Sequence, residues 1–122
     1  MSGEIVHFEI PADDTAKARE FWGGLFGWQF EAYPGPSEYH MTSMGDGTGG
    51  AITNMEPDKR GTRAYFSVDE IDAGVARVRE LGGEATDRMP VPNMGWFSVC
   101  TDPHGNEFGL WQSDETASMP DA

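Results

Sequence analysis

The chain has 122 residues, 38% of them hydrophobic and 11% aromatic, which suffices for one ordinary domain with a single core. Eight basic residues stand against 21 acidic ones, a formal charge of −13 that excludes a surface built for nucleic-acid phosphates or anionic membranes; it could attract cationic ligands, but keeping the protein soluble is the favoured reading. The one cysteine, Cys100, excludes an intramolecular disulfide and a thiolate zinc cluster, and with no signal-like or membrane-length apolar run a cytoplasmic protein is expected.

Residues 4 to 10, EIVHFEI, alternate: Val6, Phe8 and Ile10 form an apolar face, while His7 and Glu9 lie on the other. Asp13 or Asp14 can cap a helix over about 14 to 26, in which Ala18, Phe21, Trp22, Leu25 and Phe26 fall on one stripe expected to be buried, together with Trp28. Gly27 is its expected stop. Strands are predicted over 28 to 33, 38 to 44 and 49 to 55, separated by PGPS and GDGT turns. His40 lies in the middle of these, with its phase open. The polar stretch of residues 56 to 61 is the expected link between two modules.

The order then starts again. Residues 62 to 68, TRAYFSV, place Ala64, Phe66 and Val68 on a core face and Arg63, Tyr65 and Ser67 on the other. Asp69 is the expected cap of a second helix ending near residue 81, where Gly82 and Gly83 stop it. Strands are expected around 84 to 90, 95 to 101 and 106 to 112, and the acidic tail 114 to 122 is expected to fray. His7 and Arg63, Asp13 and Asp69, Gly27 and Gly83, Asp46 and Asp102, and Gly49 and Gly105 are each 56 positions apart. Two copies of one unit, about 4 to 55 and 62 to 113, make this an α+β chain of two βαβββ modules in a single domain, with a cleft expected between them.

These residues also carry a family likeness. The segment GWFSVCTDPHGNEFGLWQ (95 to 112) resembles the last two strands of the vicinal oxygen chelate superfamily, home of glyoxalase I, extradiol dioxygenases and bleomycin-resistance proteins. IVHFEIPADDTAKAREFWGGLFGW (5 to 28) is similar to its first strand and helix. The resemblance implies a cup-shaped curved sheet and commonly a homodimer. It also implies where a divalent metal would be held in the metal-dependent members, by His or Glu on the first and last strand of each module. His7 matches one position; the others fall on Arg63, Thr53 and Gly109. Arginine has no lone pair to give, glycine has no side chain and threonine is a poor neutral ligand, so no metal or other cofactor is expected. Glu107 faces the same way as Gly109 and could reach the cup by a register slip.

Alternation leaves His7, Glu9, Arg63, Tyr65, Ser67, Glu107 and Trp111 facing the cup, joined by Trp96, Ser98 and Cys100 if Phe97 and Val99 are core. An aromatic lining with a few charged groups suits a small organic molecule, with His7, Glu9, Arg63, Tyr65, Trp96, Cys100, Glu107 and Trp111 as candidate contacts. Glu9 and Arg63 could equally form a structural ion pair, Trp96 and Trp111 could seal a dimer interface, and Cys100 has no basic neighbour that would make it a nucleophile. Three functions remain open: sequestration of a small ligand, as in bleomycin-resistance-like proteins; a metal-dependent lyase, isomerase or dioxygenase of the glyoxalase type using His7 and Glu107; and a dimeric interaction module with no ligand.

Overall fold

The computed structural model describes residues 3–56, 58, 59 and 61–118. Pro57 and Arg60 of the expected link and Met119 to Ala122 of the expected tail lie outside them. The described chain divides into two compact units, Val6–Ala64 and the remainder. Among the described residues no helix is long and apolar enough to cross a membrane.

The first unit carries β1 (Ile5–Pro11), whose Ile5 belongs to the other unit, then α1 (Thr15–Phe26), β2 (Glu31–Ala32), β3 (Tyr39–Ser43) and β4 (Gly49–Thr53). Asp14 caps α1 by accepting the Lys17 N–H at 3.0 Å, and Gly27 ends it at φ 74°, a left-handed position that glycine takes without a Cβ clash. β4 returns parallel to β1, with His7 opposite Gly49, and β3 and β2 follow outward in antiparallel pairs. A glycine at position 50 lets the Phe8 ring lie over β4; a Cβ there would collide with it. Phe8 in turn meets Trp28 at 5.6 Å between ring centroids, and Trp28 stacks on Trp22 at 5.6 Å and 9°.

The expected buried stripe of α1 is only partly buried. Phe21, Leu25 and Phe26 are more than half exposed, because α1 turns its first residue, Thr15, inward and engages the sheet through Trp22 and Trp28. The first of the three predicted strands shrinks to Glu31–Ala32, since Trp28 and Phe30 are taken up by this aromatic cluster.

The second unit repeats the topology with β5 (Arg63–Ser67, its first two residues in the first unit), α2 (Ile71–Glu80), β6 (Glu84–Ala85), β7 (Met89–Val91), β8 (Gly95–Thr101) and β9 (Glu107–Ser113). β9 returns parallel to β5, β8 pairs antiparallel with β9, and both β6 and β7 pair with β8. The strand expected over 84 to 90 is therefore broken: Thr86 turns its hydroxyl to the Val99 N–H and its carbonyl to Ser98. Ile71, Val75, Cys100 and Leu110 form the core beneath α2. The cap position of α2 is Glu70 rather than the expected Asp69, and the Glu70 side chain makes no cap bond; Gln112 of β9 accepts the Ile71 N–H at 2.8 Å. Gly82 at φ 95° and the Gly83 N–H bond to Val78 close the helix as expected.

Two further expectations need correction. Helices and first strands follow the 56-residue shift, but the last two strands do not: His7 pairs with Gly49 while Tyr65 pairs with Gly109, so β4 and β9 correspond with two additional residues between modules. The extra residues lie ahead of β8, in the broken edge and its Val91 to Met94 turn, where Asn93 sits at φ 66°. Thus Gly109 corresponds to Ala51 rather than Thr53, and Asp46 does not correspond to Asp102. The chain after Ser113 is also tied down rather than frayed as far as Ala117: the Asp114 N–H bonds the Met94 carbonyl, the Ala117 carbonyl accepts from Asn93, and Ala117 is buried.

Candidate functional site

In the first unit, the face of β1 that carries His7 and Glu9 is flanked on β4 by Gly49 and Ala51, residues too small to cover it. Tyr39 reaches onto this face from β3. Its hydroxyl donates to Glu9 Oε2 at 2.8 Å and lies 2.6 Å from His7 Nε2. Because the phenol's proton is given to a carboxylate that has none to return, His7 Nε2 must be the donor of the shorter bond, which leaves Nδ1 as the imidazole's acceptor. Burial holds the His7 pKa below its ordinary 6.5, with the Glu9 charge opposing that shift. The ring is therefore neutral at pH 7, consistent with a single N–H.

Arg63 extends the same chain. Its Nη1 donates to Glu9 Oε1 at 3.3 Å and its Nη2 to Glu56 Oε2 at 2.6 Å. Three of the expected contact residues, His7, Glu9 and Arg63, are thus brought together, linked by two that the sequence did not single out. Tyr39 was hidden in a strand whose phase alternation alone could not fix; Glu56 was read as part of a polar link. His40, one residue beyond Tyr39, pairs with Ile52 on the opposite face and approaches Glu38 at 3.2 Å. The Thr15 hydroxyl at 2.6 Å is the main cause that holds the Glu38 carboxyl below the usual carboxylate range.

In the second unit the face assignment of β8 is inverted. Trp96, Ser98 and Cys100 lie toward α2, while Phe97 stands opposite Trp111 and meets Tyr65 edge-on at 6.4 Å. The residue types explain it: Ser98 and Cys100 are small enough to let α2 pack closely on β8, and Ser98, fully buried, satisfies its hydroxyl on the Thr86 carbonyl at 2.7 Å. Cys100 is a core thiol whose pKa is pushed up by burial, and so is neither a nucleophile nor an open contact. Trp96 packs against the same core, with its N–H on Asp114 at 3.1 Å and the Arg88 guanidinium 4.2 Å from its ring centroid. Tyr65, Glu107 and Trp111 do share the other face, though Tyr65 is itself buried. The DPHGN segment is a turn in which Asp102 accepts from the backbone of His104 and Asn106, at 2.9 Å each.

The metal positions implied by the superfamily can be tested against these side chains. At the first-strand position of the second module stands Arg63, which carries a fixed positive charge and is engaged by two carboxylates. At the last-strand position stands Gly109, and the Tyr65 ring occupies the space a side chain there would need. On β4, Ala51 has no donor, and the Thr53 hydroxyl donates to the Glu38 carbonyl at 2.8 Å. Among the described residues no group of three or more His, Cys, Asp or Glu could hold an ion. This donor set does not fit a catalytic divalent cation, which takes three or more protein ligands.

A family model described as a glyoxalase-like domain matches residues 6–111. A glyoxylase-named protein of Mycobacterium tuberculosis is 31% identical over 117 residues, which cover 87% of this chain and 44% of that protein. The chain therefore spans less than half the length of that relative. A glyoxylase-like domain-containing protein of Didymella fabae is 30% identical over 120 residues, covering 90% of this chain and 94% of that one. In fold, the chain is similar to the methylmalonyl-CoA epimerase of Mycobacterium tuberculosis, with a TM-score of 0.70 at 16% identity over 92% of this chain and 88% of the epimerase.

Proposed function

The chain belongs to the glyoxalase-like family of the vicinal oxygen chelate superfamily, and from that membership and the side chains it carries we propose that it binds a small organic molecule without a metal ion. The observation that carries this reading is Arg63. It stands where a ligand to the metal would be expected, has no lone pair to give, and is held in place by Glu9 and Glu56. The same chain of bonds fixes His7 and Tyr39, so the face offers a neutral imidazole, a phenol and a guanidinium in set positions. Such groups orient a small polar molecule rather than polarise it at an ion. Sequestration in the manner of bleomycin-resistance-like proteins is the functional model, in a homodimer. Glyoxylase-named relatives favour a second reading, a lyase, isomerase or dioxygenase, which on this chain would need donors other than those at the expected positions.

Tryptophan fluorescence of the chelator-treated protein, titrated with planar aromatic acids and planar cations, tests the proposal. Quenching is the expected result, and it should vanish in Arg63→Ala, which removes the guanidinium that Glu9 and Glu56 hold in place. Binding that appears only after zinc, nickel or iron is added would overturn the proposal in favour of the metal-dependent reading.

A further inference from the structure

Glu9 and Glu56, two carboxylates on Arg63, are held very differently. Glu9 belongs to β1, its side chain is 17% exposed, and its second oxygen is fixed by the Tyr39 hydroxyl. Glu56 lies after β4, outside any helix or strand, and its side chain is 48% exposed although the Arg63 side chain it touches is only 11% exposed. Arg63, nearly buried, therefore gives one N–H to a carboxylate fixed on a strand and another to a half-exposed carboxylate borne on irregular chain. We propose that Arg63 is the receptor for a ligand carboxylate and that Glu56 is a displaceable stand-in, occupying Nη2 until the ligand arrives.

This inference rests on the small-molecule reading above and narrows it to one ligand class. Exchange of Glu56 for another carboxylate keeps the charge around Arg63 unchanged and returns to water a side chain that is already 48% exposed. The guanidinium fork suits the planar geometry of a carboxylate. A phosphate dianion fits less well, because Glu9 at 3.3 Å on the same guanidinium repels the second charge. A tethered Glu56 competes at high effective concentration, so the native protein binds its acid more weakly than the same site would without it.

Calorimetric titration of the full chain and of Glu56→Gln with benzoate, its neutral isostere benzamide and inorganic phosphate tests this. Benzoate is expected to bind the native protein better than benzamide or phosphate, and Glu56→Gln to tighten benzoate roughly two- to fivefold, the release of one half-exposed carboxylate from Arg63, while leaving benzamide unchanged. A second measurement needs no variant: nitrogen-15 spectra of the native protein should show the Arg63 guanidinium signals moving on addition of benzoate. Benzamide binding as tightly as benzoate, phosphate binding as tightly as benzoate, no gain in Glu56→Gln, or unmoved Arg63 signals would each overturn the inference while leaving a small-molecule site in place. Absence of binding by all three compounds, with none of the wider panel of acids and cations binding either, would overturn the small-molecule reading with it.

Discussion

His7 is a titratable group whose neutral form is favoured by burial and opposed by the Glu9 charge. Burial depresses its pKa in the folded chain below the ordinary 6.5, so the unfolded chain binds the proton first as pH falls. The stability that the neutral ring contributes is therefore present above about pH 6.5 and is lost as pH falls through the folded value, at no more than about 1.4 kcal/mol per pH unit for one proton. His7→Gln keeps an amide donor for Tyr39 but does not titrate. Urea midpoints measured between pH 7.5 and pH 5 should fall less steeply in that variant than in the native chain, and equal slopes would show that His7 is not held neutral. Gly109 makes the complementary point: the position is informative because nothing but hydrogen fits beneath the Tyr65 ring, a fact about space that a residue name alone does not reveal.

At the level of elements, α2 shows how a local rule yields to a tertiary partner. Asp69 carries the sequence signal for a cap, yet the cap position is Glu70 and the Ile71 N–H is satisfied by Gln112, 41 residues along the chain. Gln112→Ala is expected to cost about 1 kcal/mol, the loss of one helix cap, and the thermal midpoint would register it; an unchanged midpoint would return the cap to Asp69. The helices and most strand positions were legible because their signals are local, as with Asp14, Gly27 and Gly82. The phase of β8 was not, because Trp96 and Phe97 are both large and apolar, so alternation reads equally well in either register; the deciding factor is the small size of Ser98 and Cys100 beneath α2. Likewise the stripe on α1 was visible as a pattern, but burial of Phe21, Leu25 and Phe26 depends on what a helix packs against, which periodicity does not contain. Of the candidate site, His7, Glu9 and Arg63 could be placed on one face by alternation, whereas their link through Tyr39 and Glu56 depends on a neighbouring strand and an irregular segment.

For the whole molecule, the internal repeat made the fold class readable, and it holds at the level of topology: in each module the last strand returns parallel beside the first. It fails at the level of register, by two residues, and that slip is what moves the counterpart of Gly109 from Thr53 to Ala51 without changing the face. Neither residue restores a ligand. The acidic excess, −13 in formal charge, remains compatible with solubility alone, and the proposed selectivity for a carboxylate arises from one nearly buried arginine rather than from net charge. The central proposal, that this member of the glyoxalase-like family binds a small molecule without a metal, is tested most directly by native mass spectrometry of protein purified without chelator or added metal. The expected result is a species of twice the chain mass with no retained divalent ion; one equivalent of zinc, nickel or iron per chain, lost in His7→Ala, would contradict it.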